Sequence, residues 1–135
     1  MRMLIVTMAG VLLAAGAASG QPAAPGDADP CAREPATHRV KIRVNNNNVP
    51  EGVETGGQDA STIRTCPGDT VEWHFTGLPF RIEFQGRAPF DAALPTSANG
   101  KVSGVISKNG TRGKSFKYDV AIDGGGRLDP IIIVD

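Results

Sequence analysis

The sequence is poor in the residues that most often carry chemistry. Its 135 residues include two cysteines, two histidines, one tryptophan and one tyrosine, and aromatic residues make up only 5%. Lys+Arg and Asp+Glu stand at 14 each, so the formal charge is zero and no broad attraction to nucleic acid or an anionic membrane surface is implied. No C-x-x-C is present and neither histidine lies close to a cysteine, which argues against a thiolate metal site or a reactive dithiol. Ser61, Ser97, Ser103, Ser107 and Ser115 sit in no nucleophile-elbow sequence, and neither histidine stands beside one in a recognisable pattern, so the chain does not read as an enzyme. Beyond Gly20 no apolar run is long enough to span a membrane.

What is present begins with an export signal. Arg2 supplies a positive start, Leu4 to Ala18 is apolar, and the run ends in the small residues Ala14-Ala15-Gly16-Ala17-Ala18-Ser19-Gly20, the pattern of a signal peptide over residues 1–20. No cysteine follows the apolar run directly, which disfavours a lipoprotein. Met1, Met3 and Met8 all lie inside the signal, so the mature chain has no methionine and is expected in the periplasm or outside the cell. In an oxidising compartment the even pair Cys31 and Cys66 is most simply a disulfide, closing a loop of about 35 residues and stabilising by about 3–4 kcal/mol in the chain-entropy model. Residues 21–37, beginning QPAAPGDADPCAREP, are aperiodic and read as a flexible Pro/Ala-rich leader.

Residues 38–135 read as one small β domain. Gly (17) and Pro (10) punctuate the chain, and short alternating segments lie between them. Val40, Ile42 and Val44 alternate with Arg39, Lys41 and Arg43, a strand with a basic outer face that reads as a solvated surface, with Arg64 a candidate to extend it and an acidic partner the alternative. Residues 45–60 read as loop. Strands are expected at 61–66, at 71–75 after the turn Pro67-Gly68-Asp69, and at 80–84. Residues 85–100 form a connection with room for a helical turn. Segments 101–107 and 115–122 flank Asn109-Gly110, a strong hairpin signal, and are expected to pair. The β-branched run Ile131-Ile132-Ile133-Val134 suits a central strand. Seven strands at this spacing predict an all-β Greek-key sandwich.

Three segments then resemble the cupredoxins of the plastocyanin and azurin type. Cys66-Pro67-Gly68-Asp69-Thr70-Val71-Glu72-Trp73-His74-Phe75 is similar to the Pro/Ala-Gly-Asp turn that feeds a V-x-W strand. Gly77-Leu78-Pro79-Phe80-Arg81-Ile82-Glu83-Phe84 resembles G-F-P-H-x-I-x-F. Phe116 to Val134 can be laid without gaps on the closing motif Y-x-F-x-C-x-P-H-x-x-x-G-M-x-G-x-V-x-V. The resemblance implies a copper site whose ligands fall at Phe80 (His), Val120 (Cys), Asp123 (His) and Leu128 (Met). All four ligands are replaced, and apolar side chains with one carboxylate cannot supply thiolate and imidazole. The expectation is therefore no metal and no cofactor, with Phe80, Val120 and Leu128 filling the vacated volume.

The remaining residues read more simply as structure. Trp73 and Tyr118 fall at inward positions of their strands. His74 lies on the face opposite Trp73, and His38 precedes the first strand. Asp119, Asp123 and Asp129 near the glycine-rich loop lack the calcium-loop pattern. The expected function is an exported cupredoxin-like binding or structural module with a protein partner in the envelope, docking at Leu78, Pro79, Phe80, Gly124, Gly125, Gly126 and Leu128. The alternative is an envelope copper or zinc binder using His38, His74 and aspartates.

Overall fold

Period-two alternation places one face of each strand inside and the other in solvent, and the strands assemble by that rule. The computed structural model describes residues 29–123 and 127–135. Chain contacts divide it into Met1–Ala32 and Arg33–Asp135. In the described part of the first unit the Cys31 N–H donates to Asp29 Oδ1 at 2.8 Å and the Ala32 N–H to the Asp29 carbonyl at 3.1 Å, forming a turn. The expected signal and residues 21–28 of the expected leader lie outside the described residues.

The second unit is all β. Its strands are β1 (Thr37–Val44), β2 (Pro50–Thr55), β3 (Gln58–Asp59), β4 (Thr62–Thr65), β5 (Thr70–His74), β6 (Phe80–Phe84), β7 (Lys101–Val105), β8 (Lys114–Ile122), β9 (Arg127–Leu128) and β10 (Ile131–Val134). They form two mixed sheets, ordered β3-β2-β1-β5-β7 and β4-β10-β8-β6, with β9 on β8. β1 runs parallel to β5 and β10 parallel to β4, while the other pairs are antiparallel. The run Ile131–Val134 lies between β4 and β8, as its apolar character on both faces predicts.

Val40, Ile42, Val53, Val71, Trp73 and Val102 from the first sheet meet Ile82, Phe116, Tyr118, Val120, Ile132 and Val134 from the second in one core. The Trp73 indole N–H donates to the Tyr118 hydroxyl at 3.2 Å, and the two rings meet edge to face with centroids 5.4 Å apart. Both side chains are fully buried, so this bond satisfies the polar ends of the two largest groups in the core.

Three local expectations are corrected. Residues 45–60 are not loop throughout, because β2 pairs with β1 and turns through Gly56-Gly57 into β3. Both glycines have positive φ (59° and 82°), the geometry of a two-residue hairpin turn. Val53 is the one strongly apolar residue that packs inward from this hairpin, so the alternation was too sparse to read. The segments flanking Asn109-Gly110 do not pair with each other. β7 pairs with β5 in one sheet and β8 with β6 and β10 in the other, so residues 106–113 cross between sheets. The Asn-Gly hairpin sits instead at Asn99-Gly100, where φ is 55° and 74° and Ala98 and Lys101 exchange both backbone bonds at 3.1 Å. Residues 85–100 contain no helical turn. The described residues hold ten strands where seven were expected, the additions being β2, β3 and β9.

Candidate functional site

The strands β6, β8 and β9 hold the motif-matched Phe80, Val120 and Leu128 in one ladder, with Asp123 directly after β8. Phe80 opposes Ile122, Ile82 opposes Val120, and Val120 opposes Leu128 on β9. Phe80 and Val120 are 1% and 0% exposed, and Leu128 is partly buried against the same core. Phe80 therefore packs within the core and adds little to a docking surface. Its N–H donates to Ser97 Oγ and its carbonyl accepts from the Ser97 N–H, both at 2.9 Å, which ties the 97–100 turn to β6. The Phe75 ring meets the Phe80 ring edge to face with centroids 6.2 Å apart. Asp123 is exposed, with Oδ1 3.7 Å from Arg81 Nη1.

This end does not fit a copper ion of the type the resemblance implies. Phe80, Val120 and Leu128 present no donor atom, and the carboxylate of Asp123 faces a guanidinium in solvent. Gly124, Gly125 and Gly126 lie outside the described residues. Leu78 is half-buried and Pro79 exposed. They border a recess of about 300 Å³ with Phe75, Thr76, Gly77, Ser97, Asn99 and Gly100. Gly100 is required there by two constraints: its φ is positive, and a Cβ would stand 2.9 Å from the Phe75 carbonyl oxygen.

The outer face beside this end is a charge lattice. Glu83 and Asp119 are direct cross-strand partners, an unfavourable pairing taken alone. Arg127 Nη1 donates to both, at 2.8 Å to Glu83 and 2.9 Å to Asp119, and Arg81 donates to Glu83 at 3.0 Å. Arg127 and then Arg81 hold the Glu83 carboxyl below the usual carboxylate range. Arg127 outside and Leu128 inside thus secure the two-residue strand β9. Asp129 faces Lys117 Nζ at 3.2 Å. Asp119, Asp123 and Asp129 thus each face a cation, Arg127, Arg81 and Lys117 in turn.

The two histidines do not converge. His38 shares the inner-face parity of Val40 and Ile42, whereas His74 lies on the outer face with Arg39 and Lys41, so the sheet separates them. His74 Nε2 is 3.2 Å from Glu72 Oε1. Among the described residues no group of three or more His, Cys, Asp or Glu is placed to hold a metal ion. Arg64 does not extend the basic row. It lies on β4 in the other sheet and donates to Asp135 at 2.6 Å.

Sequence reasoning missed the most heavily bonded polar group, at the opposite end of β5. Asp69 is fully buried. Arg33 donates to Oδ1 at 3.0 Å and to Oδ2 at 2.8 Å, His38 Nε2 lies 2.8 Å from Oδ2, and the N–H groups of Ala36 and Cys66 donate at 2.9 Å each. An ionised carboxylate only accepts, so the proton of the His38 bond sits on Nε2. Burial pushes the Asp69 carboxyl up, but the bonds from Arg33, His38, Ala36 and Cys66 outweigh it and hold the group far below the usual range. The Cys66 bond closes a local turn that Pro67-Gly68-Asp69 announces, while the Arg33 partner lies 36 residues away and left no local signal. Cys31 and Cys66 are both disulfide-bonded, which accords with an oxidising compartment. No helix among the described residues is long and apolar enough to cross a membrane.

No protein-family model and no curated protein matches the chain. Among solved structures it is similar to the cupredoxin rusticyanin. Reduced rusticyanin aligns at 16% identity with a TM-score of 0.42, over 76% of this chain and 81% of that one. A methionine-to-leucine variant of rusticyanin aligns at 15% identity and the same TM-score, over 76% and 79%.

Proposed function

We propose that this protein is an exported cupredoxin-like binding module that does not carry blue copper or transfer electrons. The reading rests on one observation. Phe80 and Val120, at positions that the sequence resemblance assigns to copper ligands, are buried in the core, and Leu128, opposite Val120, is partly buried against it. Side chains without donor atoms fill that volume, and opening it for an ion would cost cavity energy and leave the ion unligated. The loop end then serves as a docking surface through Leu78, Pro79 and the exposed part of Leu128.

Two measurements test this reading. Titration of the purified protein with Cu(I), Cu(II) and Zn(II) is expected to give no stoichiometric tight binding, and an intense blue band would overturn the proposal. Affinity capture from the native envelope is expected to retain a protein that Leu78→Glu and Leu128→Ala variants lose. Undiminished capture by both variants would remove the loop end from the function. N-terminal sequencing of the exported protein is expected to begin just after Gly20.

A further inference from the structure

The groove at the end of β1 supports an inference beyond the loop end. β1 and β5 pair from Thr37↔Thr70 to Lys41↔His74, and there the ladder stops. The Phe75 N–H is taken by the Gly100 carbonyl at 3.0 Å, which draws the chain toward β7 and away from β1. β1 continues through Ile42, Arg43 and Val44 with β2 on its other flank, so among the described residues no strand covers this flank. The resulting opening is about 600 Å³.

Its two sides differ in chemistry. Phe75, Ile42 and the partly buried Val44 make an apolar inner wall, and Arg39, Lys41 and Arg43 line the outer one against a single carboxylate, Glu51. Arg39 is 3.6 Å from Glu72 and Arg43 is 2.9 Å from Glu54, while Lys41 has no ion pair among the described residues. An extended segment laid along β1 would continue the line of β5, bond to the open flank and send alternate side chains to the two walls. We infer that this groove takes an extended segment of a partner protein that alternates apolar and acidic residues. A second copy of β1 is disfavoured, because antiparallel pairing would set two rows of Arg39, Lys41 and Arg43 against each other.

The test uses the full chain and three labelled peptides: alternating Glu and Val, alternating Lys and Val, and the Glu/Val peptide with a central proline that removes a ladder donor. Fluorescence polarisation is expected to show binding of the Glu/Val peptide, with both controls weaker by at least about tenfold. Lys41 is exposed and has no ion pair among the described residues, so Lys41→Glu is expected to keep the fold and to cost the Glu/Val peptide about tenfold while favouring the Lys/Val peptide. Amide shifts are expected at Ile42–Val44. Failure of the Glu/Val peptide to bind, equal binding of the two charge types, indifference to Lys41→Glu, or self-association that the peptide competes away would each overturn the inference. None of these outcomes bears on metal binding or on Leu78, so the loop-end reading is judged separately.

Discussion

Arg33 grips Asp69 with both terminal nitrogens, one on each carboxylate oxygen, at 3.0 and 2.8 Å. Asp69 has no exposure to solvent and a third of the Arg33 side chain remains exposed, so the two partners do not weigh equally. The buried member is the one whose loss leaves donors unpaired.

Asp69→Ala is expected to destabilise by about 3–5 kcal/mol, because it strands His38 Nε2 and two backbone N–H groups beside a buried space. Arg33→Ala is expected to cost less, since the carboxylate keeps its other donors. Urea denaturation of the two variants checks the order, and a larger loss for Arg33→Ala would contradict it.

The same carboxyl predicts an acid limb. Its folded value lies far below its unfolded value, so its contribution is complete above about pH 4 and is lost as pH falls toward the folded value. Denaturation midpoints measured from pH 7 to pH 2 are expected to fall for the wild type and to fall less for Asp69→Asn. Parallel curves would show that Asp69 is not the controlling group.

Tyr118 is the single tyrosine, so its phenol can be titrated by ultraviolet absorbance without overlap. Burial pushes it up to about 12, and the Trp73 N–H moderates the rise. The stability it contributes is present below the ordinary tyrosine value and lost as pH rises through the folded one. Trp73→Phe is expected to raise the Tyr118 midpoint further and to destabilise by about 2–3 kcal/mol through the lost bond and volume. A midpoint at the ordinary value in the native protein would mean that Tyr118 is open to water.

Gly100→Ala is expected to destabilise by about 1–3 kcal/mol, from positive φ and from the close approach to the Phe75 carbonyl. Gly86→Ala shares the positive φ but meets nothing within 4 Å, so it is expected to cost less. Thermal denaturation of the pair separates the steric part from the conformational one.

Strands with dense alternation were legible, as at Val40, Ile42 and Val44 or at Val71, Trp73 and Phe75, because burial of one face leaves a period-two record. The hairpin through Gly56-Gly57 was not, since Val53 alone marks its inner face. Asn109-Gly110 and Asn99-Gly100 are equal as local signals. The ladder partners of β7 and β8, fixed by packing far along the chain, decided which dipeptide made a hairpin. The inward positions of Trp73 and Tyr118 were readable, but the bond between them was not. At the loop end only the inward positions of Phe80 and Val120 were readable, from the alternation of their own strands. The groove beside β1 had no local signature, because it exists only where β5 stops.

The interior place of β10 bears on how the second sheet assembles. Ile131–Val134 fills the slot between β4 and β8, so β4 has no ladder partner until those residues are in place. Assembly of this sheet is therefore non-local: residues 62–65 join it only through a strand about 70 residues further along the chain, a long loop that must close before any ladder bond forms.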